Sequence, residues 1–271
     1  MKKIILGLVL VTAGYAVNAQ SFNIGMGGGI FSTWLINTNV SDQGDDLDFG
    51  VTFGGQIGLN MQYYFNQSMG LSMGVLYTGH NQKYTGSEIA GGSEVFSMEA
   101  KTKMRYLDIP FMLRVGGQEK GAYFEFGPQF GFLMSAKENA TLTFTEPGVG
   151  TFIVDTSGVD AKYRMKSSNI ALVLGFGVDI AAGENILITT GLRLGYGFND
   201  VTKEYPTADA LNDDPHILIT SATYNAHWKQ SDSGDIFKYT PTRRAFGGFF
   251  FSVMYKIPMG GSKGAPVPET K

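Results

Sequence analysis

Apolar and polar residues alternate along most of this chain, a period-two pattern that indicates β-strands with two chemically different faces. Between residues 49 and 65, every odd-numbered residue except Gly55 is apolar, and the even-numbered residues 50–62 are Gly, Thr, Gln or Asn. The pattern predicts eight strands, each long enough for the roughly 9–11 residues that a tilted strand needs to cross a bilayer. The predicted spans are about 21–33, 49–65, 69–82, 103–116, 121–137, 167–182, 185–199 and 244–257.

The connections between these strands alternate between short and long. Short turns at 66–68, 117–120 and 183–184 alternate with polar connections, the longest being 138–166 and 200–243. This is typical of a transmembrane β-barrel with short periplasmic turns and long extracellular loops. The sequence therefore predicts an all-β fold, an eight-stranded antiparallel transmembrane barrel with both termini on the periplasmic side.

A soluble, lipocalin-type barrel also alternates, but it places its apolar face inside. Eight bulky, uncharged faces exceed the space inside an eight-stranded barrel, so we expect the apolar faces to point outward. Aromatic residues near both strand ends predict two interfacial girdles. They are Trp34, Tyr77, Tyr196 and Phe198 on the loop side, and Tyr63, Phe65, Tyr123, Phe124 and Tyr255 on the turn side.

One segment leaves the strand count open between eight and ten. Residues 141–145 and 151–156 flank Glu146-Pro147-Gly148, which is a hairpin signal. Each arm is too short to span a bilayer, so we place this hairpin in the third extracellular loop. Residues 217–224 are expected to form a similar strand above the membrane.

The two ends of the chain have their own composition. Residues 1–19 are predicted to be a signal peptide. Two lysines, Lys2 and Lys3, precede the apolar run 4–11, and residues 17 and 19 are the small residues that precede a cleavage site. Residues 20–257 are assigned to the barrel and 258–271 to a flexible periplasmic tail. The chain has no cysteine and a net charge of −3, which argues against thiolate chemistry and against nucleic acid as a partner.

Strand parity places a set of polar side chains inside the barrel. A same-face register in the 103–137 hairpin sets Arg114 opposite Glu125, and Pro110 and Pro128 predict a local irregularity there. We expect a salt-bridged plug, because eight strands enclose a space that side chains fill; a proton or ion relay is the alternative. The plug residues are Asp108, Arg114, Glu125, Asp179, Arg193 and Lys256, and the other inward polar residues are Gln56, Asn60, Gln62, Tyr106, Gln129 and Arg244.

Candidate chemistry is sparse. His80, His216 and His227 are the only groups that titrate near neutral pH, and acids crowd the first loop at Asp42, Asp45, Asp46 and Asp48. A rim of Asp and His suits a hydrolase or acyltransferase, and four aspartates suit weak Ca²⁺ binding. We favour solvated loop residues, and therefore expect no catalytic, cofactor or metal site.

Several strands resemble one known family. The segments RYLDIPFMLRVG (105–116), AYFEFGPQFGFLMSAK (122–137), the hairpin 170–198 and the final GGFFFSVMYKI (247–257) are similar to the PorT-like outer-membrane β-barrel family of Bacteroidota. The resemblance implies a small barrel in the outer membrane and carries no catalytic motif. The family's name comes from a member tied to protein secretion. The tail after the last strand departs from many outer-membrane barrels.

These observations favour a non-enzymatic surface or accessory protein, acting in adhesion, envelope integrity or a secretion apparatus. A small pore is the alternative, and a rim hydrolase or acyltransferase is a remote one. Membrane lipid is an expected partner, and the fourth loop suggests a protein partner because aromatic residues anchor many interfaces. The candidate partner surface comprises Tyr205, Tyr224, Trp228, Phe237 and Tyr239.

Overall fold

A computed structural model describes residues 21–41, 48–90, 93–116, 120–146, 148–203 and 240–257. The predicted signal peptide, the predicted strand 217–224 and the predicted tail lie outside these residues. Within the described part of the chain, no helix is long and apolar enough to cross a membrane.

The described residues form ten antiparallel strands, eight of which make a closed ring. In ring order these are β1, β3, β4, β5, β6, β8, β9 and β10, and pairing of β10 with β1 closes the ring. The predicted eight-stranded antiparallel barrel is therefore confirmed. The strands are β1 Ser21–Ile36, β2 Asp48–Gly50, β3 Phe53–Tyr64, β4 Met69–Ala90, β5 Ser93–Gly116, β6 Gly121–Glu146, β7 Gly150–Asp160, β8 Ser168–Ala181, β9 Ile186–Gly197 and β10 Arg243–Ile257. A helical turn, Thr38–Ser41, and a 3₁₀ turn, Lys162–Arg164, lie between strands.

The outward face of the ring carries an apolar belt. Ile57 is 60% exposed, Phe124 44% and Phe249 71%, while their neighbours Gln56, Glu125 and Phe250, of opposite parity, are buried. Exposed bulky residues on every wall are what a bilayer requires and what a soluble barrel avoids. Tyr123 is a correction to the predicted turn-side girdle: it points inward, where its ring contacts a buried arginine.

The predicted strand 49–65 is two strands. β2 pairs with β4 at residues 83–85, while β3 pairs with β1 and with the lower part of β4. The break comes at Thr52, whose buried hydroxyl lies 3.0 Å from the Thr33 carbonyl oxygen and 2.8 Å from that of Asn81. These contacts hold Thr52 outside the regular ladder.

Strands β4, β5 and β6 continue well beyond their predicted ends. The 141–156 hairpin is the end of β6 together with β7, and among the described strands β7 pairs with β6 alone, outside the ring. We call these continuations, with β2 and β7, the loop-side extension. Its inner face holds an apolar cluster of Val40, Tyr84, Met98, Ala100, Ala140 and Leu142.

The hairpin of β5 and β6 is irregular at two places. In the β5–β6 ladder, residues 111–112 of β5 have no partners, next to the predicted Pro110, yet the register is unchanged across this gap. The neighbouring β4–β5 ladder has a similar gap between Met73 and Leu76 of β4. The register shift occurs instead at Arg105–Tyr106, opposite Met134. Met134 is the extra residue of a bulge, and it reverses the parity of everything that follows in β6.

Candidate functional site

A network of buried charges fills the barrel near its turn side. Arg114 lies on β5 with its Nη1 3.2 Å from Glu125 Oε2 and its Nη2 2.6 Å from Asp179 Oδ2. Its Nε donates to the Tyr64 hydroxyl at 2.8 Å. Arg193 Nε donates to the other Glu125 oxygen at 2.8 Å. Two bases and two acids thus meet in the lumen, and their charges cancel.

Aromatic rings and glycines enclose this network. The Tyr123 ring centroid is 3.5 Å from Arg114 Cζ, and that of Phe250 is 3.6 Å from Arg193 Cζ. A Cβ on Gly175 would lie 2.7 Å from Glu125 Cγ, and one on Gly177 or Gly191 would lie 2.8 Å from the Tyr123 hydroxyl. The glycines on β8 and β9 therefore provide the space that the ion network occupies.

A second ion pair lies closer to the loop side. Arg244 Nη1 donates to Asp108 Oδ1 at 2.9 Å and Nη2 donates to Oδ2 at 2.5 Å, a bidentate geometry. Arg244 Nε donates to His80 Nδ1 at 3.1 Å. Because Nδ1 accepts, Nε2 carries the proton and donates to the Trp34 carbonyl at 3.2 Å. His80 is thus an uncharged structural member of the pair.

The alternation of strand residues did not predict a third buried ion pair. Glu138 Oε2 lies 3.7 Å from Arg164 Nη1, and Glu138 Oε1 accepts from Thr102 Oγ1 at 3.2 Å. The Met134 bulge turns Glu138 inward, so a strict alternation assigns it to the wrong face. Arg164 comes from the 3₁₀ turn after β7, where no alternation exists to point to it.

Apolar layers separate the three charged layers. Along β5 the inward side chains, towards the loop side, are Arg114, Met112, Pro110, Asp108, Tyr106, Met104 and Thr102. A cavity beside the second pair measures about 10 Å³, about the space of one water molecule. The layer around Met112 comprises Phe31, Val173, Phe246 and Phe250, and the layer around Met104 comprises Leu35, Tyr106, Leu133, Ala136, Ala161, Met165 and Val201.

The structure brings together five of the six predicted plug residues, although not all in one cluster. Arg114, Glu125, Asp179 and Arg193 share the turn-side network, and Asp108 belongs to the second pair. Among the ion pairs of the described residues, Lys256 joins neither group. It is half-buried near the end of β10, and its backbone N–H donates to the Asn185 carbonyl at 2.8 Å.

The candidate partner surface at Tyr205, Tyr224, Trp228, Phe237 and Tyr239 lies outside the described residues, as do His216 and His227. Of the four loop-one aspartates, only Asp48 is described, at the start of β2. The loop-side extension carries an open groove of about 710 Å³ with a lining rich in hydroxyl and carboxylate groups. Its lining includes Asp48, Thr85, Ser97, Glu99, Thr141 and Thr143.

The family model described as "Outer membrane protein beta-barrel domain" matches residues 18–203. No curated protein matches the chain. The outer membrane protein OprG from Pseudomonas aeruginosa is 12% identical, with a TM-score of 0.38 over 89% of this chain and 98% of that one.

Two further solved structures are similar in the same way. Ail, the attachment invasion locus protein of Yersinia pestis, is 12% identical with a TM-score of 0.30, over 88% of this chain and 99% of that one. The outer membrane protease OmpT from Escherichia coli is 9% identical with a TM-score of 0.29, over 90% and 98%.

Proposed function

The chain belongs to the outer membrane protein β-barrel domain family, and we propose that it is a non-enzymatic, non-conducting barrel that acts through its extracellular face. It lies in the outer membrane, with the long connections extracellular and the short turns periplasmic, as barrels of this class are built. The PorT-like resemblance of residues 105–137 and 170–198 supports an accessory or envelope role of the kind that group suggests.

The observation that carries the proposal is the filled lumen. Three charge-neutral layers alternate with two apolar layers from the turn side to the loop side. A conducting pore needs a continuous polar path, whereas eight strands enclose only enough space for side chains. The filled lumen favours a scaffold over the alternative of a small pore.

The loop-side extension supports action at the cell surface. It projects paired strands beyond the apolar belt, has its own apolar cluster, and presents an open polar groove. Strand β7 forms its edge, paired on one side with β6. A rigid platform with a hydrogen-bonding groove suits recognition of a protein or envelope partner.

The described residues give little support to the remote alternative, a hydrolase or acyltransferase with its active site at the rim. His80, the described histidine, is buried, and both of its ring nitrogens are engaged, by Arg244 and by the Trp34 carbonyl. A general base needs a free nitrogen within reach of a substrate proton. The proposal therefore treats this side chain as structural.

Planar-bilayer recording tests the non-conducting part of the proposal. The purified, folded barrel is inserted into phosphatidylcholine bilayers and recorded in 1 M KCl (roughly a 3 Å screening length). We expect no stable unitary conductance. Reproducible single-channel steps from folded protein would contradict the proposal.

Site-specific photo-crosslinking on intact cells tests the extracellular part. A photoreactive residue replaces Thr85 or Thr141 in the groove, and a matched control carries it at Glu184 in a turn between β8 and β9. We expect the same adduct from both groove positions and not from the turn. Adducts from the turn alone would place the working surface in the periplasm.

A further inference from the structure

A band of basic side chains lies on the outer wall of the barrel, directly above the apolar belt. It is carried by three neighbouring strands, β4, β5 and β6, and it faces away from the lumen. We call it the basic wall. Its members are Lys83, Lys101, Lys103, Arg105 and Lys137.

The register of the basic wall sets like charges against each other. Lys83 is directly opposite Lys101 across the β4–β5 ladder, and Lys103 is directly opposite Lys137 across the β5–β6 ladder. Like charges at directly opposed positions destabilise a sheet. Nothing in the closure of the ring requires lysine at these positions, since the side chains point outward.

Few groups in the described protein neutralise these bases. Lys83 Nζ lies 2.7 Å from the carboxylate oxygen Oε2 of Glu99, whereas Arg105 Nη1 donates to the uncharged side-chain amide oxygen of Asn81 at 3.2 Å. Asp160 of β7 is the register partner of Lys137 on its other side. Within the described residues, Lys101 and Lys103 have no ion-pair partner.

The position of the basic wall indicates the source of its counter-charge. On β5 the apolar belt ends at the outward residue Leu107, and the next outward residues are Arg105, Lys103 and Lys101. They lie about 7, 13 and 20 Å further along the strand. On β4, Tyr77 is 50% exposed opposite Leu107, as an interfacial aromatic would be. A ligand that touches both regions has apolar chains beside the belt and an anionic group above it.

We propose that the basic wall binds the phosphate groups of a phosphorylated lipid in the outer leaflet. Lys101, Lys103 and Lys137 supply the ammonium groups, and the lipid phosphate relieves the repulsion between the opposed lysines. Basic residues at a membrane surface attract anionic lipid through this electrostatic term. The adjoining apolar belt holds the acyl chains, so a lipid gains apolar contacts that a free anion lacks.

Native mass spectrometry of the detergent-purified barrel tests this site. The probes are dioleoyl phosphatidic acid and dioleoyl phosphatidylcholine at equal concentration, with inorganic phosphate as a soluble competitor. We expect preferential retention of phosphatidic acid. The double variant Lys101→Gln/Lys103→Gln should weaken that retention by about fivefold per lysine, roughly 25-fold in all. The control Lys120→Gln/Lys162→Gln removes the same charge elsewhere and should bind as the unmodified protein does.

Three results would overturn the proposal. They are equal retention of the two lipids, equal retention by the double variant and its control, and full displacement of the lipid by millimolar inorganic phosphate. The last result would show a free-anion site in place of a lipid site. Both variants are checked for the folded gel mobility of the barrel before binding is compared, and Lys137→Gln provides an independent single substitution at the same wall.

Discussion

Arg114 is the side chain on which the turn-side network depends. It is the base that contacts both Glu125 and Asp179, and it also donates to Tyr64. Glu125 has a second base in Arg193, whereas the described ion pairs give Asp179 only Arg114. Loss of Arg114 therefore leaves a buried carboxylate without its counter-charge.

We expect Arg114→Ala to lower the free energy of unfolding by about 3–5 kcal/mol, the usual cost of breaking a buried pair. Arg193→Ala should cost less, because Glu125 keeps Arg114. Urea titration of the barrel in phospholipid bilayers measures both, and Lys120→Ala is an exposed control expected to change little. If Arg193→Ala proves the more damaging variant, Arg193 and not Arg114 organises the network.

The Asp108–Arg244 pair allows a separate test of how much a buried ion pair contributes to the stability of the barrel. Removing one partner strands a buried charge, whereas replacing both with apolar groups removes the desolvation penalty as well. We expect Asp108→Leu and Arg244→Met each to destabilise the barrel strongly, and the double variant to be more stable than either single one. A double-mutant cycle in urea gives the coupling free energy. Simple additivity of the two losses would show that the ion pair is energetically unimportant.

How far these residues could be predicted depends on how local their pairing is. Arg114 and Glu125 lie 11 positions apart in one hairpin, so a register sum was enough to set them opposite each other. Asp108 and Arg244 are 136 positions apart, and they meet only because β10 closes the ring and its long arginine crosses the lumen. A single strand pattern contains no information about that crossing.

At the scale of the element, the ends of β4, β5 and β6 show where strand periodicity misleads. The two-residue alternation continues past the membrane, but the apolar residues change from the outer face to the inner one. Leu107 points outward below this transition, while Met104 and Ala100 point inward above it. A prediction that follows lipid-facing apolar residues therefore ends each strand at the transition and assigns the remaining residues to loops.

The loop-side extension should therefore unfold separately from the barrel. Leu142→Asn places an amide in its apolar cluster, and we expect this to cost about 2–3 kcal/mol of local stability. Proteolysis of β6 and β7 in intact cells should become faster, while the heat-dependent gel mobility of the barrel stays unchanged. Thr143→Asn, on the opposite face of the same strand, is the control. Loss of the folded gel band with Leu142→Asn would show that the extension and barrel unfold together.

At the scale of the whole molecule, closure explains why the ring was easier to predict than its contents. In hydrocarbon, a barrel leaves no backbone group unpaired, so outward apolar faces and alternating loop lengths together leave one arrangement for the strands. The lumen has no comparable constraint. Charges, rings and glycines there must fit one another, as Glu125 and Gly175 do, and that fit depends on the tilt and register of all eight strands.

If the barrel is a scaffold and the extracellular surface carries the function, the connection between β9 and β10 can be changed without unfolding the barrel. Replacing residues 205–240 with a short Gly/Ser link should leave the barrel foldable, because the lipid-facing strands and the three charged layers are unchanged. It removes Tyr205, Tyr224, Trp228, Phe237 and Tyr239, and should abolish partner capture and the cellular phenotype. Gel mobility confirms folding, and complementation of a null strain measures function. A matched variant changes those five aromatic residues to Ser and keeps the loop length, which separates lost contacts from a shortened loop. Full complementation by the folded, loop-replaced barrel would exclude this loop and leave the groove on the loop-side extension as the surface to test next.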